Sequence, residues 1–272
     1  MAEEKIELPK TRKPAQRISP GLLTMYGPQK TGKTFWTTRL PNALTLDFEK
    51  GTETHEAMAY AIENLNKLML VSAALSEEKK TNGFMYDWLV IDTLDRFVEH
   101  LETKVKNDYN ARQKYYQEQN PEKEFPLVSV YSEIEYGKGY DLLRLEVRKW
   151  ITFFKSVSHR VIRIAHLKRT MIGETSVIVD DKSLDLTGKI KGLILSDSDA
   201  TCSVSSVGSA TILSFVAKPN SSSGSRLPYL AGKKFKLIPG EPEFGWSQIY
   251  PDYPKEEFIA LHPAKFEVEA DD

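Results

Sequence analysis

One octapeptide constrains this chain more than any other feature: Gly27-Pro28-Gln29-Lys30-Thr31-Gly32-Lys33-Thr34. It satisfies G-x-x-x-x-G-K-[ST] at every fixed position. The spacing has a physical purpose. Successive backbone N–H groups of such a loop turn inward around phosphates, and a helix starting at its end adds the positive end of its dipole. Glycine at 27 and 32 admits backbone geometry and close approach that a Cβ would block. Lys33 is then expected to reach β- and γ-phosphates, and the Thr34 hydroxyl to ligate Mg2+. The pattern arises by accident in roughly one chain of this length in a hundred. Its flanks argue against accident. The apolar run Leu22-Leu23-Thr24-Met25-Tyr26 enters as a buried strand, and helix signals run from Lys33 to just before Pro41.

The same alternation continues along the chain. Ala43-Leu44-Thr45-Leu46-Asp47-Phe48-Glu49 reads as a second strand, closed by Lys50-Gly51. Residues 54–79 read as a helix, because Ala57, Ala61, Leu65 and Leu68 recur at helical spacing. Asp87-Trp88-Leu89-Val90-Ile91-Asp92 is a third buried strand, and a polar, Tyr-rich segment near 105–137 interrupts the pattern. A strong helix follows over 139–157 (Leu142, Leu143, Leu145, Val147, Ile151, Phe154), then a fourth strand, Val161–His166. Beyond about 175 come β-runs: Thr175–Val179, Thr201–Ser206, Thr211–Val216 and Lys234–Ile238. This order predicts an α/β fold, a mainly parallel sheet flanked by helices with antiparallel additions toward the C-terminus.

With 272 residues, the chain has enough material for one large core. Residues 1–20 read as a flexible arm, 21–240 as the core, and 241–272 as an extension ending in acidic Glu267-Val268-Glu269-Ala270-Asp271-Asp272. Ser221-Ser222-Ser223-Gly224-Ser225 reads as a flexible loop. Lys and Arg number 37 against 38 Asp and Glu, so any nucleic-acid surface must be local. Cys202 is the single cysteine, which excludes an intrachain disulfide and a cysteine metal cluster. Met1–Pro20 lacks an apolar core of signal-peptide length, and no run approaches the roughly 18 apolar residues that span a bilayer. A cytoplasmic protein with no membrane contact is expected.

Trp88-Leu89-Val90-Ile91-Asp92 has the form of a Walker B strand, whose terminal Asp92 carboxylate is placed to hold Mg2+. Thr93 follows, as a second hydroxyl near the γ-phosphate or as a plain turn residue. Enzymes of the AAA+ class carry Asp-Glu here, so Thr93 argues against that class. The carboxylate that activates water must then come from elsewhere. Glu49 is the candidate, because a strand beside the first opens onto the same C-terminal edge. Asp47 is a less favoured alternative. His55, His100, His159 and His262 share no metal-ligand spacing.

These motifs resemble those of RecA-type recombinases. Leu46-Asp47-Phe48-Glu49 looks like the strand end bearing their catalytic glutamate, and Leu89–Thr93 like their Walker B strand. Val161–His166 is similar to the strand whose terminal polar residue senses the γ-phosphate. The bacterial recombinase has Gln there, while related hexameric helicases use His. The resemblance is strongest to small phage-encoded RecA-core ATPases, annotated for nucleotide binding or single-strand annealing. Their phosphate loop, acid-x-Glu-x-Gly turn (Asp47–Gly51), Tyr136-Gly137 and Ala165-His166 all occur here in order, over about residues 21–195.

The resemblance implies a RecA-like ATPase with ATP and Mg2+ as cofactors. It also implies His166 as the sensor that couples hydrolysis to DNA, and work on single-stranded DNA in phage recombination or replication, in a bacterial cytoplasm. Such proteins act as filaments or rings, and a single-strand-binding protein is a further partner. DNA loops would fall near 105–137, with Arg112, Lys114 and Tyr115, and near 167–190, with Lys168 and Arg169 beside His166. Residues 101–124 hold five bases and five acids, so a solvated helix is the plain alternative there. Other readings are a ring helicase or translocase and a nucleotide-gated switch that grips protein without DNA. A small-molecule kinase would need an Arg-rich lid, and none is evident.

Overall fold

The apolar runs of the first half need burial on both faces, and a central sheet supplies it. The computed structural model describes residues 10–11, 14–15, 17–168, 183–219 and 221–260. Arg169, the β-run Thr175–Val179, His262, the acidic end and most of the N-terminal arm lie outside the described residues.

The strands are β1 (Leu22–Gly27), β2 (Ala43–Asp47), β3 (Met58–Ala61), β4 (Trp88–Asp92), β5 (Arg160–His166), β6 (Ala200–Val207), β7 (Ala210–Ser214), β8 (Gly224–Ser225) and β9 (Lys234–Leu237). The helices are α1 (Lys33–Thr37), α2 (Leu65–Asn82), α3 (Leu94–Gln119), α4 (Lys138–Val157), α5 (Gly188–Asp197) and α6 (Lys255–Ala260). The sheet order is β3-β2-β4-β5-β1-β6-β7-β9, with β8 also on β6. Pairing is parallel from β3 through β6 and antiparallel where β7, β8 and β9 join. The expected fold class is the observed one, but β2 does not lie beside β1 as expected: β4 and β5 stand between them, and β2 still opens onto the same edge because all these strands run parallel.

Alternation along each strand divides the core into two layers. Leu22, Leu44, Leu89, Ile91 and Val161 face α2 to α5, where Phe97, Leu143, Val147 and Phe154 cover them. Leu23, Met25, Val90, Ile162 and Ile164 face the other way, against Trp36, Trp246, Ile249, Tyr250 and Phe258. The expected C-terminal extension from 241 onward thus supplies much of the second layer. Trp246 donates from Nε1 to the Trp36 carbonyl at 2.6 Å, joining that extension to α1.

Four local expectations are corrected. Residues 54–79 are not one helix: Met58–Ala61 pairs as β3 on the edge of β2, and α2 starts only after Asn64. The Asn64 side chain accepts from the Lys67 N–H at 3.0 Å, which sets the helix start. The Tyr-rich segment does not interrupt the fold at 105, because α3 runs through to Gln119. Leu101 and Val105 are buried, and beside them Lys104 pairs with Asp108 at 2.5 Å and with Glu146 of α4 at 3.6 Å, so polar composition hid the periodicity. The helix after the phosphate loop ends at Thr37. Thr37 and Thr38 hydroxyls donate back to the carbonyls of Thr34 and Phe35, and the chain tightens into three-residue turns before Pro41. Lastly, the serine run is pinned: Ser221 and Ser223 hydroxyls share hydrogen bonds with the Tyr26 hydroxyl at 3.0 and 2.8 Å.

No helix among the described residues is long and apolar enough to cross a membrane.

Because Trp246 is wholly buried and hydrogen-bonded to α1, Trp246→Ala should cost about 3–5 kcal/mol in urea unfolding followed by circular dichroism. A loss under about 1 kcal/mol would mean that the extension is not part of the core.

Candidate active site

Parallel strands bring their C-terminal ends to one edge of the sheet, which is where ligands bind in such folds. Here the register pairs Gly27 of β1 with His166 of β5, and Asp47 of β2 with Asp92 of β4. β5 lies between β1 and β4, so His166 stands between the phosphate loop and Asp92.

The two loop glycines have different reasons. A Cβ at Gly27 would come within 2.4 Å of the Val204 carbonyl oxygen in β6, so the sheet itself demands glycine. Gly32 sits at φ +84°, and Thr211 would crowd a Cβ there at 2.8 Å. Thr31 closes the loop by donating to the Pro28 carbonyl at 2.9 Å. Lys33 arches over it and donates to the carbonyls of Gly27 and Pro28 at 3.0 and 2.6 Å. Burial lowers the Lys33 ammonium from its ordinary value, against the opposing pull of Asp92, Asp95 and Glu49. At five residues, α1 is too short to supply the expected macrodipole in full.

Thr34 donates to Asp92 Oδ2 at 2.6 Å. Burial pushes the Asp92 carboxyl up to about 6, the Thr34 hydrogen bond opposes this, and the nearby charges of Asp47 and Glu49 add to it. The Thr93 hydroxyl beside it is buried without a hydrogen-bond partner. Two hard oxygen donors on a buried carboxylate short of positive charge fit a Mg2+ ion.

Asp47 builds the turn that presents Glu49. Its carboxylate accepts from the N–H groups of Glu49, Gly51 and Thr52 at 3.0, 3.2 and 2.8 Å, and from the Thr52 hydroxyl at 2.6 Å. With both oxygens engaged, Asp47 is a turn residue and not an alternative base. Glu49 stands in the cavity between two donors. Arg96 Nε reaches its Oε1 at 3.1 Å, and His166 Nε2 lies 3.6 Å from its Oε2. His166 Nδ1 lies 2.7 Å from Asp95 Oδ2. That hydrogen bond raises the imidazole above its ordinary value and helps lower the Asp95 carboxyl, in both cases against burial. Asp95 thus holds Nδ1 by a hydrogen bond, while Glu49 lies on the Nε2 side of the ring at ion-pair distance.

Lys30, Lys33, Thr34, Glu49, Asp92 and His166 line one cavity of about 410 Å3. A second, of about 550 Å3, adjoins it across His166 and is lined by Gln29, Asp95, Glu99, Glu102, Lys168 and Thr187. Asp95 and Arg96 were missed by sequence reasoning. Their signal is an acid and a base three and four residues after Asp92, and its meaning depends on β5 lying beside β4. The DNA candidates are scattered. Lys168 is exposed beside His166, whereas Arg112, Lys114 and Tyr115 lie on α3, about 26–30 Å along the helix from Asp95 at 1.5 Å per residue.

A family model described as an AAA domain matches residues 21–227. The chain belongs to the AAA domain family. Membership in this family leaves the contrast with the Asp-Glu pair of AAA+ enzymes as it stands, since this chain has Thr93 after Asp92. As an AAA domain, the chain is a nucleotide-binding P-loop ATPase. A search of the curated proteins finds no match. Among solved structures, the chain is similar to the crystal structure of the RadB recombinase, with 13% identity, TM-score 0.38, and coverage of 82% of this chain and 89% of that one. Likeness at that level lends no residue role to this AAA domain.

The buried Asp92 has a measurable consequence. Between about pH 4 and 6 the folded protein holds a proton that the unfolded chain has released, so stability falls as pH rises through that window and stays reduced above it. In chelator at pH 7.5, Asp92→Asn should therefore be more stable than the parent by about 1–3 kcal/mol. The gain should fade by about pH 4 and shrink when Mg2+ is added. A less stable Asp92→Asn protein at neutral pH would contradict this account.

Proposed function

We propose that this chain is a Mg2+-dependent ATPase acting on single-stranded DNA, with Glu49 orienting the attacking water. The observation that carries the reading is the convergence of Lys33, Thr34, Asp92 and Glu49 on one cavity. The loop from Gly27 to Thr34, with Pro28, Gln29, Lys30 and Thr31 between the glycines, cradles the β- and γ-phosphates through its amides. Lys33 leaves its two carbonyl acceptors for phosphate oxygens. Thr34 and Asp92 hold the metal ion, which when bound offsets charge on the β- and γ-oxygens. Glu49 accepts a proton from water as the water oxygen bonds to the γ-phosphorus and the bond to the bridging oxygen breaks.

The motif resemblance supports the DNA part, as does the exposed Lys168 two residues beyond His166. Assembly as a filament or ring, service in phage recombination or replication, and cooperation with a single-strand-binding protein belong to the same reading. One observation favours a second reading, a nucleotide-gated switch that grips protein. The cavity beyond His166 is lined by Asp95, Glu99, Glu102 and Asp185 against Arg96 and Lys168, an acidic balance that repels DNA phosphates.

The test is ATP hydrolysis with Mg2+, with and without single-stranded DNA. DNA should stimulate turnover several-fold. Lys33→Ala should lose nucleotide binding, while Glu49→Gln should bind ATP and hydrolyse it about 100-fold more slowly. Turnover indifferent to DNA would move the reading to the protein-gripping switch, and full activity in Glu49→Gln would remove Glu49 as the base.

A further inference from the structure

We infer that Asp95 is a positioning residue: it locks the backbone and the ring of His166 together and so aims the imidazole at Glu49 and the nucleotide cavity. The inference rests on the proposed hydrolytic reading of that cavity. Asp95 Oδ1 accepts the His166 backbone N–H at 3.2 Å, and Oδ2 holds Nδ1 at 2.7 Å. One carboxylate therefore fixes both where the last residue of β5 sits and how its ring is turned. An acid in the first turn of a helix is already favoured by the exposed N–H groups there and needs no such partner. Here both oxygens are committed to a residue 71 positions away.

The lock decides what His166 offers to the site. With Nδ1–H donating to Asp95, Nε2 is left facing Glu49 Oε2 at 3.6 Å. At that distance a neutral ring leaves an acceptor facing a carboxylate, whereas a charged ring faces it as an ion-pair partner. The charged form is favoured by Asp95 and Glu49 and opposed by burial and Lys33. Arg96 acts on the ring through Glu49, and Lys168 and Asp185 line the far side of His166. Glu49 is thus held between Arg96 and an imidazole whose charge depends on Asp95. A γ-phosphate entering the cavity competes with Glu49 for the Nε2 proton. Asp95 stands three residues after Asp92, so one short stretch carries both the carboxylate on the metal side and the one that holds the ring.

The test uses the full chain and the variants Asp95→Asn, His166→Gln and their combination. Fluorescent-nucleotide binding, the pH profile of kcat, and 15N NMR of the His166 ring are read on each. Asp95→Asn should lower kcat about 10-fold or more with nucleotide affinity changed less than about 3-fold. Its acid limb should move down by about one pH unit. In the His166→Gln background the same change should cost less than about 2-fold, because the lock has nothing left to hold. In the parent protein, 15N shifts should show Nδ1 protonated at neutral pH and an imidazole titrating above its ordinary value.

An unchanged pH profile in Asp95→Asn, or an equal loss with and without His166, would overturn the inference. A parent His166 that titrates at or below the ordinary value would do so even if Asp95→Asn fails to fold. If the parent protein does not hydrolyse ATP, the hydrolytic reading fails while the NMR titration still decides the lock.

Discussion

Hydrogen-bond register between β1, β5 and β4 places Gly27 beside His166 and Asp92 beside Ile164, and the phosphate loop, His166 and Asp92 inherit their positions from that alignment. A shift of one residue in β5 would turn His166 from the cavity edge and send Ile162 and Ile164 to the wrong layer. The register is itself fixed by burial. β1 and β4 are buried along their whole length, with alternate side chains committed to the α2–α5 layer and to the layer built around Trp36 and Trp246. The reactive edge is therefore held in place by the same side chains that form the core.

The site is electrostatically unfinished in a specific sense. Asp92, Glu49 and Asp95 all act on the buried Lys33, and Asp92 resists ionisation because it is itself buried, with the charges of Asp47 and Glu49 adding to the effect. Such an arrangement is unfavourable to the protein alone, because buried charges need partners. The buried Lys33 suits an anion, and the buried Asp92 carboxylate suits a cation. A nucleotide triphosphate with its metal ion supplies both together. The folded chain is thus more complementary to that pair than to either component.

Local pattern reveals the phosphate loop, the Trp88–Asp92 strand, the Val161–His166 strand and the parallel core, because each rests on an apolar run or a fixed spacing. Three features were hidden for physical reasons. β3 is exposed on both faces at the sheet edge, so it carries no buried alternation, and the alanines around it suggested helix. The outer half of α3 presents charge to solvent and meets the core through few residues, chiefly Val105 and Tyr109. Asp95 looks like an ordinary acid at a helix start, and only the placement of β5 next to β4 gives it a partner.

The hydrogen bond from Trp246 to the Trp36 carbonyl joins the two ends of the described chain at the helix that follows the phosphate loop. The loop is made early in synthesis, but its brace is made more than two hundred residues later. A chain still emerging from the ribosome has the nucleotide motif without the layer that stiffens it. The helix that follows the phosphate loop therefore gains its packing partner only when the C-terminal layer is in place.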